Sequence, residues 1–96
     1  MSPKERKELK ILRKRLDILD NSFIKLLKKR CRLVDKVLKL KKYKNQIVDK
    51  KRINVILKNI KTKSINNNID PKISKRIWKN MIGAFIDYER KNFKNK

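Results

Sequence analysis

The sequence contains no histidine, one cysteine, one glycine and two prolines in 96 residues. Without histidine, and with Cys31 alone, the chain lacks the usual zinc ligand sets, an intrachain disulfide and the Ser-His-Asp or Cys-His arrangements of nucleophilic catalysis. A single glycine argues against a barrel, a sandwich or a glycine-dependent phosphate loop. No apolar run approaches the ~20 residues of a membrane span. We therefore expect a soluble cytoplasmic protein that uses neither a metal nor another cofactor.

Acidic residues are also scarce, with 9 Asp+Glu against 31 Lys+Arg and a formal net charge of +22. Such a surface attracts anions of any kind, so a nucleic-acid-binding module is one hypothesis. However, the six aromatic residues are not interleaved with the cations as a stacking platform, and no recognised binding signature is present. The abundance of Lys, Ile and Asn is typical of an AT-rich genome. We expect no specific nucleic-acid partner and no membrane partner, and the sequence leaves open whether the charge serves a partner at all.

Apolar periodicity predicts an all-α chain of one long and two shorter helices, at about 5–43, 49–61 and 71–92, in a single domain 1–96. Asp49 is a candidate N-cap for the second helix, and Asp70-Pro71 opens the third. In the first helix the apolar spacing alternates between three and four residues, as in a heptad seam. The seam consists of Leu9, Leu12, Leu16, Leu19, Phe23, Leu26, Arg30, Leu33, Val37 and Leu40.

The first helix is too long to bury its seam within one chain. At 1.5 Å per residue it extends ~57 Å, far beyond either shorter helix. An unburied seam would leave a large apolar patch in water. We therefore expect an obligate homodimer in which two long helices pack together and the shorter helices flank them. A coiled-coil interaction protein is an alternative, in which Arg30 sets the register.

Charged residues on the apolar faces are the candidate binding groups. Arg30 occupies a seam position, and Lys41, 11 residues later, lies about 20° away on the same face. Buried cations require partners. Of the nine acidic residues, only Glu89 clearly lies on the inward face of another helix, so these cations point to an anionic ligand. Alternatively, both side chains reach solvent or pair with a helix C-terminus. Arg13 lies ~42 Å from Lys41 along the helix. It joins the same site only from an antiparallel partner, and otherwise it is a solvated charge.

Several of these residues together resemble a known family. The pattern is Leu12-Arg13-x-x-Leu16-Asp17-x-Leu19-Asp20, Leu26-Leu27-x-x-Arg30, Lys41 and Asp49-x-x-Arg52. From about Leu9 to Phe93 the chain resembles the all-helical chorismate mutases. The resemblance implies an intertwined homodimer of three-helix chains with two active sites, each of which takes one arginine from the other protomer.

The resemblance also implies the role of each site residue. Arg13 of the partner subunit and Arg30 would hold the two carboxylates of chorismate, a task for which bidentate arginine is well suited. Lys41 would donate to the ether oxygen that gains negative charge as the C–O bond breaks. Arg52 would add a cation near a substrate carboxylate, and Asp49 would lie near the ring hydroxyl.

The implied reaction, from chorismate to prephenate, is a [3,3] rearrangement without proton transfer or a nucleophile. Catalysis can come from holding the reactive conformer and from cations placed where charge develops. A chain without histidine suits this chemistry, whereas it does not suit most hydrolases.

Two positions depart from the usual mutase pattern. Ile53 follows Arg52 where mutases commonly have Glu, and Phe85 stands where a small or polar residue is common. Both residues, and the unbroken spacing from Lys41 to Arg52, are similar to the pattern of isochorismate pyruvate-lyases. These enzymes share the fold and make salicylate and pyruvate from isochorismate. Asp49 is more mutase-like. We therefore predict a mutase, with the lyase as the alternative.

Glu89 falls where the family has Gln or Glu beside the ether oxygen. A glutamine donates a hydrogen bond at any pH, but a glutamate does so only when protonated. In that role, activity should fall as the pH rises and the carboxyl loses its proton, and Glu89→Gln should flatten the profile. The alternative is an exposed carboxylate near the end of a helix.

Overall fold

The computed structural model describes residues 1–94 and contains three α-helices with one short 3-10 turn. Helix α1 covers Pro3–Leu40, α2 covers Lys50–Asn66 and α3 covers Pro71–Asn92, with the 3-10 turn Lys44–Gln46 between α1 and α2. No strand is present in residues 1–94, so the all-α prediction is confirmed. Residues 95 and 96 of the predicted domain lie outside the described residues.

Helix α1 begins two residues earlier than predicted because Ser2 and Glu5 form a reciprocal cap. The Ser2 hydroxyl accepts from the Glu5 amide at 3.2 Å, and the Glu5 carboxylate accepts from the Ser2 backbone nitrogen at 3.0 Å. This capping box satisfies donors at the helix start, and Pro3 at the first helical position has no N–H to satisfy. The hydrogen bonds from Ser2 lower the pKa of Glu5 below its ordinary value of 4.5.

Helix α1 ends three residues earlier than predicted, at Leu40. The Lys41 amide bonds to the Leu38 carbonyl at 3.1 Å, which closes a tighter turn than the helix makes. The Gln46 side-chain oxygen then accepts from the amides of Lys42 at 2.7 Å and Tyr43 at 2.9 Å. Buried Ile47, with an exposed fraction of 4%, anchors the end of this turn.

Helix α2 continues five residues beyond its predicted end, and polar side chains in this extension bond to the helix itself. Thr62 and Ser64 donate their hydroxyls to carbonyls four residues earlier. The helix stops where Asn68 adopts a φ of 57°, and the Ile69 amide bonds back to the Ser64 carbonyl at 2.9 Å. This is the C-terminal pattern that usually uses glycine and tolerates asparagine.

Helix α3 begins and ends where the sequence predicts, and it packs against α2. Asp70 caps it by accepting from the Lys72 amide at 2.9 Å. The small side chains of Ser64 on α2 and Ser74 on α3 are both buried.

The chain divides into two compact units, Met1–Val34 and Asp35–Lys96. The first is the N-terminal part of α1, whose seam residues are strongly exposed in the single chain: Leu16 is 58% exposed and Phe23 is 65% exposed. The second contains the end of α1 with α2 and α3. Across residues 1–94, no helix is apolar over the length required to cross a bilayer.

Candidate functional site

Lys41 lies immediately after α1 and turns its side chain toward α3. Its ammonium nitrogen Nζ donates to Glu89 Oε1 at 2.9 Å and to the Ile47 carbonyl at 3.4 Å. The Lys41 side chain is 18% exposed and that of Glu89 is 8% exposed, so the ion pair is largely shielded from water. The inward-facing cations were expected to find their anion in a ligand, and this expectation is wrong for Lys41, which has an acidic partner within the chain. Helix periodicity does not predict this direct contact between residues 48 positions apart, although the family resemblance places both beside the same ether oxygen.

Glu89 lies in the last turns of α3, and its residue as a whole is 6% exposed. The alternative of an exposed carboxylate near the helix end is therefore wrong. Its oxygen accepts the bond from Lys41, so an ionised carboxylate suits the contact that the structure records. Burial with a hydrogen-bonded partner is the arrangement that a charged side chain requires in the interior.

Lys41 also lines an open cleft of about 650 Å³ at the start of α2. Asp49 lies on the same cleft and caps α2, because its carboxylate accepts from the Arg52 amide at 3.0 Å. The predicted N-cap is thus confirmed. The structure therefore brings Lys41 to both Glu89 and the cleft that it shares with Asp49. The cleft is lined by Lys41, Asn45, Gln46, Val48, Asp49, Lys50 and Lys51.

The cleft is strongly cationic for a helix N-terminus. The first turn of α2 carries Lys50, Lys51 and Arg52 and no acidic residue, although the positive end of the helix dipole disfavours cations there. The lysines at 50 and 51 were not predicted as site residues. Three consecutive cations directly after the N-cap Asp49 were the signal that could have identified them. An anion in this cleft would be attracted by the helix dipole and by the side chains.

The remaining predicted site residues are distributed over both units. Ile53 on α2 and Phe85 on α3 are half-buried, and Arg52 is exposed. Arg13 is exposed and Arg30 half-buried within the unit Met1–Val34. The positions of Arg13 and Arg30 relative to Lys41 stay a prediction.

The chemistry available at this site is that of cations and hydrogen-bond donors. In the described range 1–94, no three Cys, Asp or Glu side chains cluster as metal ligands would. The ammonium of Lys41 and the basic first turn of α2 can bind an anionic ligand and stabilise negative charge on an oxygen. Asp49 can accept a hydrogen bond from a hydroxyl.

The comparisons with known proteins agree with this chemistry. The family model for chorismate mutase type II matches residues 12–90, which include every predicted site residue. No curated protein and no solved structure matches the chain.

Proposed function

The chain belongs to the type II chorismate mutase family, and we propose that it catalyses the [3,3] rearrangement of chorismate to prephenate. One observation carries the proposal: a largely shielded lysine, fixed at two points, lines a cationic cleft. Chorismate carries two carboxylates and breaks an ether C–O bond, so it needs cations for binding and a donor for the developing charge.

Lys41 is the donor in this proposal. An ammonium group has three N–H bonds. Two of them point to Glu89 and to the Ile47 carbonyl, and the third is left for a ligand oxygen. Because both contacts are already made before substrate arrives, the donor needs little reorganisation during the reaction. Preorganised donors of this kind are the largest contribution to many enzymatic rate enhancements.

The remaining roles follow from the family resemblance and are part of the proposal. Arg30 and Arg13 of the partner subunit bind the carboxylates, Arg52 adds positive charge near one of them, and Asp49 accepts from the ring hydroxyl. The active species is accordingly a homodimer. The exposed seam of α1 supports this assembly, because leucines and a phenylalanine more than half exposed in one chain are buried in such a pair.

Isochorismate pyruvate-lyase activity is the second candidate. It is favoured by the half-buried Ile53 and Phe85, because the resemblance associates an apolar and an aromatic residue at these places with the lyase. Both reactions use an anionic substrate and need a donor near a breaking C–O bond. The products are therefore the discriminating observation.

The test is to incubate the purified protein separately with chorismate and isochorismate and to identify the products. We expect prephenate from chorismate at a rate that Lys41→Met lowers at least about a hundredfold. Lys58→Met is the matched control, because Lys58 is an exposed lysine of α2 outside the cleft. Salicylate and pyruvate as the main products would establish the lyase instead. No turnover of either substrate would refute both activities.

A further inference from the structure

Tyr88 and Asp35 form a second polar link beside the Lys41–Glu89 pair. The Tyr88 hydroxyl donates to Asp35 Oδ1 at 2.6 Å. Asp35 lies on α1, one helical turn before buried Leu38, and Tyr88 directly precedes Glu89 on α3. Two consecutive residues of α3 therefore contact the chain on either side of the point where α1 ends.

Two links restrict the placement of α3 more than a single link does. Consecutive residues of a helix point about 100° apart, so Tyr88 and Glu89 reach α1 and the turn after it from two sides. Helix α3 already packs against α2, and two links to α1 and its following turn restrict its rotation and its position along its axis more than one link does. Leu38 lies between Asp35 and Lys41 in the sequence and lines a hollow of about 350 Å³ together with Asp35 and Tyr88.

We propose that Asp35 and Tyr88 are positioning residues, which hold α3 in the register that places Glu89 on the ammonium of Lys41. The proposal rests on the proposed function of Lys41 and adds a pair of residues outside the cleft. A one-residue slip of α3 moves its side chains by about 1.5 Å along the axis. A misplacement of that order is enough to impair catalysis strongly.

Activity tests the proposal first. With the substrate that the enzyme turns over, we expect Tyr88→Phe to lower kcat about threefold to tenfold and to change KM less than about twofold. Asp35→Leu should reproduce this loss. Asp35→Asn should retain most of the activity, because its amide oxygen still accepts the hydrogen bond from Tyr88. Tyr43→Phe is the matched control, since its side chain is 67% exposed and makes neither link. Full activity of Tyr88→Phe would overturn the proposal.

A second comparison separates positioning from a purely structural role. If Tyr88 acts through Glu89, then Tyr88→Phe has no further effect on kcat in an enzyme that already carries Glu89→Ala. An undiminished loss in that background would overturn the proposal, because Tyr88 would then act independently of Glu89.

A third measurement needs no activity. The coupling between Lys41 and Glu89 is measured from the unfolding of Lys41→Met, Glu89→Gln and the double variant at one protein concentration. We expect Tyr88→Phe to reduce this coupling by about half or more, and an unchanged coupling would overturn the proposal. Reduced coupling in a protein that turns over neither substrate would support the positioning role while refuting the proposed function.

Discussion

At the scale of single residues, the contact between Lys41 and Glu89 determines how the proposed site works. The sequence identifies both residues because each is a charged group on an apolar face. The family resemblance places both beside one ether oxygen, but helix periodicity does not predict that they pair directly, because the pairing depends on where α1 ends and on how α3 packs near that end. The 2.9 Å bond assigns Glu89 an acceptor's role toward Lys41, whereas the family resemblance suggests a donor's role toward the substrate.

The two roles of Glu89 predict different pH profiles. As an acceptor that orients Lys41, the carboxylate needs no proton, so we expect kcat not to fall as the pH rises from about 5 to about 8. Glu89→Gln should lower kcat about tenfold at neutral pH, because a neutral amide orients the ammonium less strongly than a carboxylate does.

The measurement is kcat against pH for both proteins, with Asp87→Asn as a control for the loss of one negative charge at an exposed position of α3. A wild-type rate that falls steadily with rising pH, together with a level profile for Glu89→Gln, would establish the donor role instead.

At the scale of elements, helix number and type were predictable and several helix ends were not. The predicted start of α3 is correct because Asp70-Pro71 is a local signal that acts through backbone geometry. The end of α1 depends on contacts made after the chain has turned, namely the Gln46 acceptor and buried Ile47. The end of α2 depends on the positive φ of Asn68 and on the Ile69 amide that bonds back to the Ser64 carbonyl, which the polar composition of this stretch does not predict.

The cap at the start of α1 makes a pH prediction. The pKa of Glu5 is lowered by its bonds to Ser2, so the ionised carboxylate stabilises the folded helix start. This contribution is fully present above the unfolded value and is lost as the pH falls through the lowered pKa. The Ser2 backbone N–H contributes most to this shift and the hydroxyl contributes less. We therefore expect Ser2→Ala to raise the pKa of Glu5 only part of the way toward 4.5, because the backbone bond is kept, and to increase amide exchange in the first turn of α1.

An NMR titration of the Glu5 carboxyl measures this effect directly. Ser22→Ala is the control, because Ser22 is an exposed serine in the middle of α1 that does not contact Glu5. The Ser2 hydroxyl does not contribute to the shift if Glu5 titrates identically in Ser2→Ala and in the unmodified protein.

At the scale of the whole molecule, the central question is how the seam of α1 is covered. A long helix with a strongly exposed apolar seam is predicted from the sequence and is present in the single chain. The placement of Arg13 and Arg30 at the site stays a prediction: helix geometry puts Arg30 on the same face as Lys41 and requires an antiparallel partner for Arg13, and the family resemblance supplies their roles.

The proposed dimer predicts a large effect of one seam substitution. By symmetry, Phe23→Glu places two carboxylates in the interface, and we expect it to cost about 4 kcal/mol or roughly a thousandfold in the dimer dissociation constant. Sedimentation over a range of concentrations measures this change. Asn21→Glu adds the same charge outside the seam and should leave a stable dimer. A monomeric unmodified protein that is active would contradict the assembly.

The most direct test of the shared site mixes two impaired enzymes, Arg13→Ala and Lys41→Met, by joint unfolding and refolding. If each site takes Arg13 from the partner subunit, a mixed dimer has one intact site. Because half of the dimers are mixed, about a quarter of the unmodified activity should return. With subunit exchange verified by mass, activity that stays at the level of the separate variants would contradict a site built from both subunits.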